Sequence, residues 1–88
     1  MFAAVNKLFA HDGREYHLQA EDLGTEMASF EVRVYDGGAI LWRKRVPYAD
    51  VLERKLAREE EDEAVRALMD KTLQTVQAAI AKGKLAGS

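Results

Sequence analysis

A short basic cluster is the feature of this 88-residue chain best suited to binding. Arg43-Lys44-Arg45 are consecutive, and Arg33 lies on what the residue pattern predicts is the neighbouring strand. Arginine recognises carboxylates and phosphates through its planar fork of donors. Three interpretations stay open: a solvated face protected against edge pairing, a docking surface for an acidic protein, and a surface for RNA or single-stranded DNA. Sheet-type RNA binders display exposed aromatic rings, and only Tyr35 qualifies, so nucleic acid is disfavoured.

The two histidines, His11 and His17, do not have the spacing of a metal site. His17 and Glu21 are four residues apart, which on a strand separates them by roughly 13 Å, too far to share one ion. A helix would bring them together, but Tyr16 and Leu18 alternate with polar residues in the way typical of a strand. We expect surface histidines and no metal.

Carboxylates near the first predicted link are the other candidates for chemistry. Glu21, Asp22 and Glu26 cluster there, but acid–base catalysis requires a carboxyl whose pKa is raised by burial. Turns such as that at Gly24 are usually exposed to solvent, so we expect these carboxylates to be solvated. The chain has no cysteine and no nucleophile-elbow, phosphate-loop or zinc-protease motif. These observations predict a protein that is not an enzyme and holds no cofactor.

The elements that position the basic cluster follow from residues 30–46. Apolar residues alternate with polar ones on both sides of a glycine turn: Phe30, Val32 and Val34 before it, then Ile40, Trp42 and Val46. A three-residue loop, Asp36-Gly37-Gly38, unites the two sets on one face, opposing Val34 to Ile40 and Val32 to Trp42. The opposite face then displays five residues, with Glu31 directly across from Arg43: Glu31, Arg33, Leu41, Arg43 and Arg45.

A second hairpin is predicted in the first third of the chain. His11-Asp12-Gly13 is a turn signal, and an odd loop there places Leu8 and Ala10 on the face of Tyr16 and Leu18. A short helix over residues 2–10 remains an alternative, because Ala3 and Ala4 are good helix formers. Two consecutive hairpins predict a four-stranded antiparallel meander over about residues 4–46.

The chain from about residue 48 to 82 is predicted to be helical. Its apolar residues form two stripes rotated by roughly 90° on an ideal helix: Tyr48, Val51, Leu52 and Leu56, then Val65, Leu68, Met69, Leu73, Val76 and Ile80. Two helices with a break near 58–62 fit better than one, with Asp62 as a candidate N-cap of the second. Lys82-Gly83-Lys84 provides a stop, and residues 83–88 are expected to fray. The predicted fold class is therefore α+β, a small antiparallel meander packed on one face by C-terminal amphipathic helices.

Length and composition predict a single domain of residues 1–88. The net charge of −2 provides no overall field to attract nucleic acid or anionic lipid. The first apolar run is interrupted at Asn6 and Lys7, which is not typical of a signal peptide, and no stretch approaches the ~20 apolar residues of a membrane span. We expect a cytoplasmic protein without membrane contact.

Several strings along the chain resemble a group of small bacterial proteins of mostly unassigned function. They are residues 16–24 (YHLQAEDLG), 37–40 (GGAI), Pro47-Tyr48 and 83–85 (GKL). Within that group, the chain is similar in size and character to the small adaptor of a bacterial motility and polarity system. In that system, a response-regulator-like scaffold and a small partner promote nucleotide exchange on a Ras-like GTPase. No motif of the group assigns an exchange-factor site to a residue of this chain.

Taken together, these patterns predict a non-enzymatic adaptor that binds another protein. Its expected contacts are Arg33, Arg43, Arg45 and Leu41 on the sheet face, and the acidic segment 59–63, including Glu60 and Glu61. The resemblance implies that the partner is a small GTPase or a response-regulator-like scaffold. The predicted helix is longer than the predicted strands, so homodimerisation through its overhang also stays open. The alternative function is RNA or single-stranded DNA binding through the basic face.

Overall fold

A computed structural model describes residues 4–84 of the chain and contains one sheet and two helices. The elements are β1 (Ala4–His11), β2 (Arg14–Asp22), β3 (Ser29–Asp36), β4 (Ala39–Pro47), α1 (Ala49–Glu53) and α2 (Arg58–Ala81). The strands are antiparallel in the order β1-β2-β3-β4, so that each pairs with its chain neighbour. This confirms the predicted α+β meander.

The first hairpin turns on the dipeptide Asp12-Gly13. Both residues have positive φ, 52° and 80°, as a type I′ turn requires, and Asp-Gly is among its favoured sequences. Residues 4–10 belong to β1 rather than to a helix. Residues 2 and 3 of the alternative helix lie outside the described residues.

The two-residue turn places β1 in the opposite orientation to the predicted one. Phe9 lies opposite Tyr16 and Val5 opposite Ala20, so β1 contributes Phe9 and Val5 to the apolar face. Leu8 points to the other face and is 66% exposed. The prediction that Leu8 shares a face with Tyr16 was wrong because the favoured Asp-Gly turn has an even loop length, and one residue of slip inverts a strand.

The second hairpin combines a two-residue turn with a β-bulge. Gly37-Gly38 closes the turn, with Tyr35 opposite Ile40. The register then shifts, so that Val34 lies opposite Trp42 and Leu41 has no partner on β3. The predicted three-residue loop was therefore wrong.

The bulge has the same effect on most of β4 as the predicted odd loop. An extra residue in one strand changes the face of every residue beyond it. Trp42 and Val46 consequently share the apolar face with Val34, as predicted, whereas Ile40, before the bulge, does not. Along the strand, the pairing is displaced by two residues, and Arg45 instead of Arg43 lies opposite Glu31.

Two helices follow the sheet, as the two apolar stripes predict. The break lies at residues 54–57, slightly before the predicted 58–62, and the N-cap of α2 is Ala57 rather than Asp62. Glu59, Glu60 and Glu61 occupy the first turn of α2, where the positive end of the helix dipole favours acidic side chains. Neither helix among the described residues is long and apolar enough to cross a bilayer.

The end of α2 agrees with the predicted stop at Gly83. Gly83 has a φ of 67°, and the amides of Gly83 and Lys84 donate to the carbonyls of Ile80 and Ala79 at 3.0 and 2.8 Å. A glycine in the left-handed conformation at this position is a common helix terminator. Of the tail expected to fray, residues 85–88 lie outside the described residues.

The core lies between one face of the sheet, called here the inner face, and α2. Side chains of β2, β3, α1 and α2 form it together with Tyr48: Leu18, Ala20, Phe30, Val32, Val34, Tyr48, Val51, Val65, Met69, Leu73, Val76 and Ile80. Burying a large apolar side chain contributes about 1.5–3 kcal/mol. Helix α2 lies nearest to β1 and β2, because one helix, about 10 Å wide, cannot cover four strands evenly. The β4 side of the inner face is less completely covered.

Candidate functional site

The outer face of the sheet, opposite α2, carries the residues that the sequence singled out. Its side chains form three rows that run across the four strands. In the row nearest the hairpin turns, called here the apolar row, Leu8, His17, Tyr35 and Ile40 are successive neighbours. The next row is Asn6, Gln19, Arg33 and Arg43, and the third is Ala4, Glu21, Glu31 and Arg45.

Arg33 lies at the centre of the outer face and is bound by its neighbours. Its Nε donates to Glu31 Oε1 at 2.7 Å, its Nη1 to Gln19 Oε1 and its Nη2 to Glu21 Oε1, both at 2.8 Å. The hydrogen bonds to Glu21 and Glu31 raise the pKa of the Arg33 guanidinium above its ordinary value. Most of the donors on Arg33 are therefore engaged within the sheet, and Arg33 holds β2 and β3 together.

Arg43 and Arg45 are on the outer face, as predicted, but their environment differs from that of Arg33. Both are exposed, as is Lys44 between them. Among the described residues, ion pairs join Arg14 to Asp36 and Arg33 to Glu21 and Glu31, and none includes Arg43, Lys44 or Arg45. The free positive charge of the predicted cluster is thus concentrated on β4.

The apolar row gives the outer face an exposed hydrophobic component. Leu8 and Ile40 are 66% and 51% exposed, and Leu41 in the bulge is 41% exposed. Between Leu8 and Ile40, the rings of His17 and Tyr35 lie 5.6 Å apart. Sequence reasoning missed Leu8 and Ile40 because it assigned both to the inner face. The signal that would have placed Leu8 correctly is Asp12-Gly13, a preferred two-residue turn.

Both histidines contact neighbouring side chains rather than each other. His17 Nε2 lies 3.0 Å from Asn6 Oδ1, and His11 stacks on Phe9 with ring centroids 5.9 Å apart. Within residues 4–84, no group of three His, Cys, Asp or Glu side chains is placed to hold a metal ion.

A pocket of about 530 Å³, lined mainly by polar and charged residues, lies at the end of the sheet away from the hairpin turns. Asp22, on its wall, is only 7% exposed, whereas the sequence led us to expect a solvated carboxylate. Asp22 Oδ1 accepts hydrogen bonds from the Tyr48 hydroxyl at 2.6 Å and from the Gly24 amide at 2.9 Å. Burial, followed by the bond to Asp22, raises the pKa of the Tyr48 hydroxyl.

Only part of the acidic segment predicted as a partner contact lines this pocket. Glu61 lines it together with Arg58 and Asp62, whereas Glu60 is exposed on the first turn of α2 and does not line it. The acidic segment begins α2, which packs on the inner face, whereas Arg43 and Arg45 lie on the outer face. The structure therefore does not bring Glu60 and Glu61 together with the basic residues of β4 in one patch.

A groove of about 340 Å³ separates β4 from α2 on the inner side. Trp42, Lys44 and Val46 line it on the β4 side, and its α2 wall is formed by Thr72, Thr75, Val76 and Ala79. The hydroxyls of Thr72 and Thr75 donate to carbonyls of their own helix, at 2.7 and 3.1 Å. The groove is therefore largely apolar, with Lys44 as its charged residue.

Comparison of this chain with known proteins identified no relative. No protein-family model, curated protein or solved structure matches the chain. The resemblance to the small bacterial adaptor thus stays a prediction from the sequence.

Proposed function

We propose that this protein is a non-enzymatic interaction module that binds another protein through the outer face of its sheet. The observation that carries the proposal is the apolar row, Leu8, His17, Tyr35 and Ile40, on the face of the sheet opposite α2. Next to it lies Arg43, which has no ion-pair partner among residues 4–84. Exposed apolar residues bordered by polar ones are typical of protein interaction sites.

The charge of the face favours a partner with acidic groups. Arg33 is occupied by Glu21 and Glu31, which leaves Arg43 and Arg45 to form intermolecular ion pairs. Arginine and tyrosine are enriched among the residues that dominate binding energy. Long-range attraction by exposed arginines also increases association rates with acidic surfaces. The proposed interface therefore has a hydrophobic part at the turns and a cationic part along β4.

The decisive experiment is charge reversal of the two free arginines. A complex is first captured from the native host and identified by mass spectrometry, and the purified pair is measured by calorimetry. Arg43→Glu with Arg45→Glu should weaken binding at least about tenfold, since two favourable charges become repulsive. Arg66→Glu with Lys71→Glu, two exposed positions of α2, makes the same change in net charge and should leave affinity unchanged. Equal affinities for wild type and the β4 variant, with unchanged circular dichroism, would remove this face from consideration.

The resemblance supplies the first partners to test. It implies a Ras-like GTPase of a bacterial polarity or motility system, or the response-regulator-like scaffold that acts with it. The outer face offers both an apolar surface and arginines for such a contact. Release of a fluorescent nucleotide from the GTPase, with and without this protein and the scaffold, measures the regulatory effect. If this protein forms a complex with neither the GTPase nor the scaffold, its partner belongs to a different class of protein.

Nucleic-acid binding is the second candidate, because the His17 and Tyr35 rings lie beside the row that contains Arg33 and Arg43. Aromatic stacking next to cationic side chains is how many domains hold single strands. Three carboxylates on the same face, Glu15, Glu21 and Glu31, weigh against it. A gel shift with single-stranded RNA at about 50 mM salt decides, since a phosphate-binding surface is strongest at low salt.

Two further contacts remain predictions. The acidic segment 59–63 is proposed as a second contact, for a basic region of the partner. A homodimer through α2 would have to use a face without large exposed apolar side chains, because those in the described chain are Leu8, Met27, Ile40 and Leu41. Light scattering at several protein concentrations measures the oligomeric state directly.

A further inference from the structure

Strand β4 has a free edge. Within residues 4–84 it pairs with β3 on one side only. An edge strand presents backbone N–H and C=O groups that can pair with a strand from another chain. In β4 this edge borders the groove between β4 and α2, so that a chain added there would contact both backbone and apolar side chains.

The two faces of β4 place different demands on such an added strand. On the outer side, Arg43 and Arg45 are exposed and have no ion-pair partner among the described residues. On the inner side, Trp42 and Val46 contribute to the groove wall. Because side chains alternate across a strand, a complementary segment alternates acidic residues, facing the arginines, with apolar residues, facing the groove.

A second copy of this chain does not meet these demands. Antiparallel pairing of β4 with itself around Lys44 would oppose Lys44 to Lys44 and Arg43 to Arg45 of the partner copy. Like charges directly opposite each other destabilise a strand pair. Arg43 and Arg45 attract the acidic residues of a partner segment, so charge complementarity distinguishes the two occupants.

We propose that the free edge of β4 binds an extended acidic–apolar segment of a partner protein as a fifth strand of the sheet. This inference rests on the proposed interaction function and names the chemistry of the partner segment. Strand addition of this kind obtains affinity from main-chain hydrogen bonds and specificity from alternate side chains. The groove between β4 and α2 receives the apolar side chains, and Arg43 and Arg45 pair with the acidic ones.

The test uses a fluorescein-labelled peptide of alternating valine and glutamate, as long as the nine residues of β4. Saturable binding in fluorescence anisotropy is expected, and the amides of residues 42–46 should shift in NMR spectra and exchange more slowly with solvent. A peptide with lysine in place of glutamate should not bind. A peptide with proline in place of a central glutamate should bind at least about tenfold more weakly than one with glutamine there. The glutamates lie opposite Arg43 and Arg45, whose backbone groups point to the free edge, and proline lacks the amide donor.

Two matched protein variants test the groove. Ala79→Phe fills it, whereas Ala78→Phe changes the adjacent, exposed residue of the same helix. Ala79→Phe should weaken peptide binding at least about tenfold through steric exclusion, and Ala78→Phe should leave it unchanged. Should Ala79→Phe not fold, Thr75→Phe fills the same groove from an exposed position of α2 and provides the same comparison.

The outcomes separate this inference from the proposed function. No binding at about 1 mM peptide, equal binding of the lysine peptide, or NMR shifts confined to the apolar row would overturn strand addition. The proposed function survives that result if Arg43→Glu with Arg45→Glu still abolishes capture of the natural partner. Conversely, Leu8→Lys should reduce binding of that partner while leaving the peptide affinity unchanged.

Discussion

The inner and outer faces of this sheet are built from alternate residues of the same four strands, yet their side chains are held by different interactions. On the inner face, Val32 and Val34 are fully buried against the core. On the outer face, Arg33, which lies between them in sequence, is held by hydrogen bonds within the sheet. Beyond Arg33, that face displays Leu8 and Arg43 to solvent. Packing against the core accounts for the residue types on the inner face. The fold does not require the exposed residues of the outer face to be apolar or basic.

The largest expected difference between the two faces is in stability. Phe30 and Tyr35 are both aromatic and both on β3, but Phe30 is fully buried and lies 6.4 Å from the Tyr48 ring, whereas Tyr35 is on the outer face. Phe30→Ala should lower the free energy of unfolding by about 3–5 kcal/mol. Tyr35→Ala should lower it by about 1 kcal/mol or less. Urea denaturation of both variants measures the contrast, and equal losses would contradict it.

A smaller effect is expected from the buried hydrogen bond between Tyr48 and Asp22. Tyr48→Phe removes the hydroxyl that donates to Asp22 at 2.6 Å, and should lower the free energy of unfolding by about 1.5–3 kcal/mol. The raised pKa of Tyr48 in the folded protein adds a pH dependence. Below the unfolded pKa of 10.0 both states keep the proton, and above it only the unfolded chain readily loses it.

Stability in the wild type should therefore decline as the pH rises through and above 10. The Tyr48→Phe variant lacks this titration and should decline less over the same range. Thermal melts of both proteins from pH 8 to 11 provide the comparison, and parallel declines would show that Tyr48 is not responsible.

The smallest effect of the three is expected on the outer face itself. Arg33→Met removes the cation between Glu21 and Glu31, which lie directly opposite each other. The variant should lose about 1 kcal/mol of stability, and about 1 M salt should reduce the loss because it screens the two carboxylates. Arg43→Met is the matched control, since Arg43 is exposed and forms no ion pair within residues 4–84, and it should melt like the wild type. A loss of equal size in both variants would show that the Arg33 network contributes nothing specific.

Local sequence patterns predicted the overall fold, but they predicted the strand orientations less well in the first hairpin than in the second. Alternation along β2, β3 and β4 and the two helical stripes were sufficient for the α+β meander, because apolar periodicity reflects burial directly. The orientation of β1 depended on the length of one turn, and Asp12-Gly13 favours two residues over the predicted three. In the second hairpin, an error in the turn and an unrecognised bulge at Leu41 cancelled each other, so Trp42 was placed correctly on the inner face.

The site was less accessible to sequence reasoning because its contacts join distant positions. Asp22 and Tyr48 are separated by 26 residues, and nothing local indicates that a carboxylate beside Gly24 is buried. The networks of Arg33 and the exposure of Arg43 depend on which residues lie opposite them, and the register beyond a bulge is not encoded in a short window. The outward direction of Arg33, Arg43 and Arg45 was predictable from alternation alone.

The neighbour-by-neighbour order of the strands has a consequence for how the chain assembles. All strand pairs close over short stretches of sequence, and such topologies fold rapidly because little loop entropy is lost before contacts form. During synthesis, the whole sheet leaves the ribosome before α2 does. Its apolar inner face therefore stays uncovered until the last turns of that helix emerge. In that interval the nascent protein is most prone to aggregate, and the speed with which α2 docks limits how long this lasts.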